Sequence, residues 1–448
     1  MGVGAILEPL VVIVLLFGGT WINRSKRFRI RRTTRWQKDN APSRSPSPDS
    51  LESGQAGYAD SDQNSLLGSP TAWSPSLLHP PEDRWRKRQI RFFTATLNVT
   101  TPNTAVFQDR LLSRVLQKFP FLVEVWYWAL VYWTYQLARA FTALTLKDDT
   151  VDVARKHALQ LIKIEEKIGI FWETSIQGFF LQHSALLTWI NWTYSFIHIP
   201  GTIAFLVWLY YYTTTRNRID ESREGKPWDE ADGSPAGTRL YQARRRTLAV
   251  CNLFAFVVFT FWPCMPPRLL SDPSVEGPDG ELGRSYGFVD TVHGVNGAGS
   301  VWTENRFCNQ YAAMPSLHFG YSLMIGFTIM TIPLPPRHRP ALAGSNLCAR
   351  IFRVSWRRLA CCLVGFAYPF LILVAIVATA NHFILDAVAG AMICALGWTF
   401  NGILLNLLPL EDYFLWLVRI HKPEHFIVDC VRDAEDWDDS TPDATLPS

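Results

Sequence analysis

The chain opens on an apolar run at 5–21 (AILEPLVVIVLLFGGTW) and then turns sharply basic, with Arg24, Lys26, Arg27, Arg29, Arg31, Arg32, Arg35 and Lys38. A cleaved signal peptide carries its positive charge before the apolar run, so this order reads as a signal anchor with its N-terminus outside. Residues 39–90 lose the apolar pattern and fill with Ser, Pro and Asp, as a disordered cytosolic linker does. Six more apolar runs follow, at 119–141, 185–212, 247–264, 314–334, 359–380 and 383–409. Each is long enough for a spanning helix, so the pattern predicts seven spans with the anchor. Between them, 150–182 has a helical amphipathic rhythm (VDVARKHALQLIKIEEKIGIFWE) and reads as interfacial. Residues 214–246 and 335–358 are polar loops, and the acidic tail from Asp429 reads as disordered.

Composition sharpens this picture. Of 448 residues, 48% are hydrophobic and 18% charged, with 18 Trp and 28 Phe. Much of the charge sits in the tails and one loop, leaving the rest more apolar still. A soluble enzyme, a disulfide-stapled secreted module and a disordered scaffold all fit poorly. The net charge of +4 is carried beside apolar segments, which speaks of topology and lipid surface rather than nucleic acid. Eight Cys show no CxxC or Cys/His metal spacing and read mostly as small hydrophobes. With the N-terminus outside, the short loops rich in Arg fall on the cytosolic side. The opposite loop, 265–313, holds only Arg268, Arg284 and Arg306, as the positive-inside rule requires. Cys264 and Cys308 would share that non-cytosolic side, where a disulfide could form.

The expected architecture is therefore an all-α polytopic membrane protein. It divides into an anchor (1–22), a basic then Ser/Pro-rich linker (23–118), a six-helix membrane domain (119–410) and an acidic cytosolic tail (411–448).

Two segments at the non-cytosolic ends of expected spans carry chemistry. In Asn381-His382-Phe383-Ile384-Leu385-Asp386, His382 and Asp386 are four apart, so on a helix they share a face about 5–6 Å apart at Cβ. A carboxylate there can hold one ring nitrogen and leave the other as nucleophile or base; a buried packing pair is the plainer alternative. Gly390, four residues on, would admit a neighbouring helix. In Ala312-Ala313-Met314-Pro315-Ser316-Leu317-His318, Pro315 and Ser316 look like a helix start capped by Ser316. Free backbone N–H groups there suit a phosphate. His318 in the first turn can protonate a leaving oxygen, although a lone His at a helix start is usually an interface residue. Arg268, in Pro266-Pro267-Arg268-Leu269, can clamp a phosphate or simply snorkel. Asn191, Tyr194 and His198 form a polar stripe that fits either a lipid head group or, as the preferred reading, hydrogen bonding between helices.

The strings PSLH at 315–318 and HFILD at 382–386 resemble the type 2 phosphatidic acid phosphatase (PAP2) superfamily, which carries a PSxH motif and then an H-x-x-x-D motif. The longer strings YAAMPSLHFG and NHFILDAVAG are more similar to its inositol phosphorylceramide synthase (Aur1-like) branch, over about residues 150–410. The phosphatase branch's K-x6-R-P is absent, and Ala375 and Ile376 stand where that branch has Ser-Arg before the second His. These departures point away from a plain phosphatase.

The resemblance implies a lipid phosphotransferase in which His382 attacks phosphorus or acts as base. Asp386 orients it, His318 is the general acid, and Arg268 with the Ser316 helix start holds the phosphate. It implies no metal and no cofactor. The donor is phosphatidylinositol or a lipid phosphate, and the acceptor a ceramide-type hydroxyl. The implied location is an endomembrane, Golgi or ER, with the site on the luminal face. Lipid phosphate hydrolysis is the close alternative; a membrane scaffold or transporter is the second. An iron hydroxylase would need His-rich boxes, and none occurs.

Overall fold

A computed structural model describes residues 4–26, 28, 84–92, 95–145, 149–194, 198–217, 234–291, 311–334 and 355–423. Cys308, most of the Ser/Pro-rich stretch, parts of both polar loops and the tail from Asp429 lie outside those residues.

The chain is mainly helical. The N-terminal apolar run forms α1 (Gly4–Ile22). The antiparallel hairpin β1 (Trp85–Phe92) and β2 (Ala95–Pro102) follows, in the register Trp85↔Pro102. Next come α2 (Leu111–Lys118), α3 (Phe121–Thr145), α4 (Asp149–Ile168), α5 (Glu173–Gln182), α6 (Ser184–Trp192), α7 (His198–Thr213) and α8 (Thr238–Phe261). Among the described residues α9 (Pro278–Ser285), α10 (Leu317–Thr331), α11 (Trp356–Ala378), α12 (Ile384–Phe400) and α13 (Leu408–Val418) follow, a 3-10 segment joining the last two.

Several expectations change. The chain is not purely helical, and the linker expected over 23–118 is folded at its C-terminal part. Strand β2 is rich in Thr and Val, which favour a pleated backbone. Along β1, Arg86, Arg88 and Ile90 point one way and are half-buried, while Trp85, Lys87, Gln89 and Arg91 are exposed. The inner face is fastened to the chain's far end. Arg88 grips Asp412 through Nε and Nη2 at 2.8 and 3.0 Å, and the Thr101 hydroxyl donates to Asp412 Oδ2 at 2.8 Å.

The run at 185–212 is helical in α6 and α7, and residues 195–197 between them lie outside the described residues. The run at 383–409 extends instead to Val418. Two helical stretches among the described residues are long and apolar enough to cross a membrane, Trp356–Ala378 and Ile384–Val418. Pro9–Ile22 and Leu317–Thr331 are apolar but shorter. The first helix does not stand apart as a free anchor: a Cβ on its Gly19 would meet Val207 of α7 at 2.8 Å and Phe121 of α3 at 3.0 Å.

Two glycine crossings bring helices against α10. A Cβ on Gly326 would lie 2.2 Å from the Gly365 carbonyl of α11, and one on Gly390 of α12 would lie 2.2 Å from the Ser316 carbonyl. Only hydrogen fits at either point, so any side chain would push the helices apart. The second crossing matters for function, because it draws the start of α10 onto the start of α12. Beneath both starts lies an apolar cluster that includes Ala154, Ala158 and Ile162 of α4 with Cys264, Met265, Ala313 and Phe383. Phe383 is fully buried; burying such a ring contributes about 1.5–3 kcal/mol and fixes the turn that carries His382.

Candidate active site

Ser316 is the N-cap of α10, its hydroxyl accepting from Phe319 N at 3.4 Å. This is the helix start read from the sequence, and such a cap stabilises by about 1 kcal/mol. The residue is fully buried and its amide donates to the Asp386 carbonyl at 2.9 Å. Two contacts thus tie the two motif segments together: this amide bond and the Gly390 crossing.

His382 does not lie on a helix face. The helix begins at Ile384, with Phe383 as N-cap, and His382 sits in the turn before it. Its Nδ1 lies 2.7 Å from the Ala313 carbonyl and 3.6 Å from Asp386 Oδ2. The carbonyl, not the carboxylate, is therefore the hydrogen-bonding partner. A carbonyl oxygen only accepts, so Nδ1 carries the proton and Nε2 of the neutral ring bears the lone pair. That Nε2 faces His318 Nδ1 at 3.4 Å. Asp386 is fully buried. Its Oδ2 accepts from Phe383 N at 2.9 Å, while Oδ1 has no hydrogen-bond partner among the described residues. The carboxylate closes the helix start and lies beside Nδ1 of His382.

The Ala313 carbonyl is itself held. Cys264 donates its amide to the Tyr311 carbonyl at 2.8 Å, and Ala313 donates its amide to the Cys264 carbonyl at 3.0 Å, a short parallel bridge. Cys264 is a buried free thiol.

Arg268 is brought to the same turn. Its amide donates to the Ala380 carbonyl at 2.9 Å and its Nε to Asn381 Oδ1 at 2.9 Å. Its Nη1 pairs with Asp290 Oδ2 at 3.0 Å. Asn381 Nδ2 in turn donates to the Thr379 hydroxyl at 2.8 Å. Ala380 takes a positive φ of 50°, uncommon for a side chain with Cβ, and lets the chain double back between α11 and His382.

The polar stripe divides. Tyr194 stacks on His318 with ring centroids 4.8 Å apart, and His198 lies against the same ring at 4.6 Å. Asn191 turns away and donates to the Thr291 carbonyl at 3.4 Å. Two of the three residues thus wall His318, and the third braces a loop.

Two more acids escape a sequence reading. Glu173 Oε1 accepts from Ile384 N and Glu165 Oε1 from Leu385 N, each at 2.8 Å. With Asp386, three carboxylates take the first three amides of the turn and helix that follow His382. The place of the two acids in the amphipathic stretch 150–182 was the available signal, but their meeting depends on the bend between α4 and α5.

The geometry can present an imidazole lone pair, a second imidazole to carry a proton and a guanidinium beside them. A family model described as PAP2 superfamily matches residues 159–221, 236–349 and 342–400, together just over half of the chain. No curated protein and no solved structure matches it.

Proposed function

The chain belongs to the PAP2 superfamily, whose membership supports phosphatase or phosphotransferase chemistry; from that premise we propose that it is a membrane lipid phosphotransferase. The observation that carries this reading is the His382 ring, fixed through Nδ1 by the Ala313 carbonyl with its Nε2 facing His318.

The reaction proceeds in two halves. A phosphoryl group enters between the rings and Nε2 attacks phosphorus. The N–P bond forms, the P–O bond to the leaving group breaks, and His318 gives its proton to the leaving oxygen. An acceptor hydroxyl then attacks, its proton passing to His318 as the N–P bond breaks. Asp386 supports the positive charge on His382, and Arg268 supports the charged oxygens. In the base variant of this scheme, His382 takes the acceptor's proton and no N–P bond forms. Ser316 serves through its helix start, since its hydroxyl is engaged in the cap.

The favoured donor is phosphatidylinositol or another phospholipid, and the favoured acceptor a ceramide-type hydroxyl. Similarity of YAAMPSLHFG and NHFILDAVAG to the inositol phosphorylceramide synthase branch supports this, as does the absence of the phosphatase branch's Ser-Arg. Tyr194 and His198, packed on His318, would form the wall against the head group. The positive-inside pattern favours a site on the luminal face of an endomembrane. Lipid phosphate hydrolysis is the second reading, favoured by the superfamily match alone.

The test is incubation of purified protein with labelled phosphatidylinositol, with and without ceramide, under EDTA. Ceramide-dependent labelled sphingolipid supports the transferase; head-group or phosphate release without ceramide supports the hydrolase.

A further inference from the structure

Glu165 on α4 and Glu173 at the start of α5 are both fully buried. Each uses Oε1 to accept an α12 amide, and in each the second oxygen, Oε2, is buried with no donor reaching it among the described residues. The two carboxyl groups sit side by side, on the adjacent amides of Ile384 and Leu385. The groups that face them are Asp386 on α12, with His382 behind it, and the Cys264 thiol on the bridge after α8. Among the described residues neither acid forms an ion pair with a Lys or Arg.

Three ionised carboxylates at one dry helix end are more negative charge than that end offsets, since a helix N-terminus supplies about half a positive charge. Two carboxylate oxygens that face one another without a donor repel; with one proton between them, one donates and the other accepts, as in paired acids that hold a single proton. Burial above all, and for Glu165 also the charge of Glu173, holds both acids above the ordinary carboxylate range.

We propose that Glu165 and Glu173 share one proton and act together as a positioning clamp, fixing the Ile384 and Leu385 amides so that the preceding turn holds His382 against the Ala313 carbonyl. The functional half of this inference rests on the reading of His382 as the phosphoryl-transferring residue; the shared proton does not. Loss of the proton sets two like charges against each other, and one acid must release its amide. The turn then loosens and His382 loses the contact that fixes its tautomer. Activity thus has an alkaline limit set by this pair.

Glu165→Gln is the informative variant. Its carbonyl can still accept from Leu385 N and its NH2 donates to Glu173, so the proton is replaced by one that cannot leave. In full-length protein in lipid nanodiscs, the infrared difference between wild type and Glu165→Gln at neutral pH should contain the carbonyl stretch of a protonated carboxyl. At neutral pH kcat should stay within about threefold of wild type, while its alkaline decline moves at least about one pH unit higher. Glu165→Ala should lower kcat by at least about tenfold at every pH with KM changed less than about twofold, as expected of a positioning residue. An infrared difference without the carboxyl band, or a Glu165→Gln pH profile that overlays wild type, overturns the proposal. Where no lipid phosphate is turned over, the infrared band decides the shared proton alone, so failure of the functional reading stays distinguishable.

Discussion

The stretch Ile384–Val418 holds acids at both ends, and it holds them by different means. At its far end Asp412 meets Arg88 in a two-pronged pair, and Glu411 meets Lys422 at 2.8 Å. These are acids partnered by cations, Asp412 buried and Glu411 half-buried, and the opposite charge offsets the cost of taking each carboxylate out of water. At the His382 end Glu165, Glu173 and Asp386 are fully buried and are met by backbone amides. A buried acid held this way costs more than an apolar residue of the same shape would. The difference teaches that the His382 end is built for orientation. A fixed cation among those acids would compete with the backbone amides for the carboxylate oxygens; amides and a shared proton hold the turn itself.

The comparison is broken most severely by removing the rings themselves. His382→Ala should lower turnover of a lipid phosphate about 10⁴-fold while the protein remains folded by thermal melting. His318→Ala should cost about 10²–10⁴-fold, with a smaller loss for a substrate whose leaving group needs no proton. Arg268→Lys should follow at about 10–100-fold in kcat/KM, because an ammonium cannot keep both Asn381 and Asp290 while meeting a phosphate. Should it change stability alone, Arg268 belongs with the fastening end of the molecule.

A subtler effect concerns stability against pH. Acids whose native pKa is raised keep a proton that the unfolded chain has given up, so they favour the native state most at low pH. Their contribution fades as pH rises from the ordinary carboxylate range toward the raised value. The wild-type melting midpoint should therefore fall over that window, and the Glu165→Gln midpoint should fall less. At the other end, Arg88→Ala leaves the buried Asp412 without its cation and should cost about 1–3 kcal/mol of stability, with kcat unchanged, as measured by melting and by turnover.

Much of the site was legible because its signals are local. Ser316 two residues before His318 marks a helix start, and His382 with Asp386 and Gly390 marks a second one drawn close to the first. What the sequence did not carry is what comes from elsewhere in the chain. The partner of His382 Nδ1 is the Ala313 carbonyl, and a backbone oxygen leaves no trace in residue identity. For Arg268 the sequence left a phosphate clamp and a snorkelling side chain equally open, because the turn through Ala380 that meets it lies more than a hundred residues away. Glu165 and Glu173 read as the polar face of an amphipathic helix, since acids on such a face are usually solvated. The hairpin was hidden for another reason. Its strands are short and half-exposed, and Arg86, Arg88 and Arg91 continue the basic and polar composition that precedes them, so alternation could be seen only strand by strand.

The central claim, that His382 Nε2 receives or activates the reacting phosphoryl group, is tested most directly by comparing wild type and His382→Ala on labelled phosphatidylinositol and phosphatidic acid under EDTA, with and without ceramide. The account predicts release or transfer of label by the wild type and none above background by the variant. Equal turnover by a folded His382→Ala protein would contradict it.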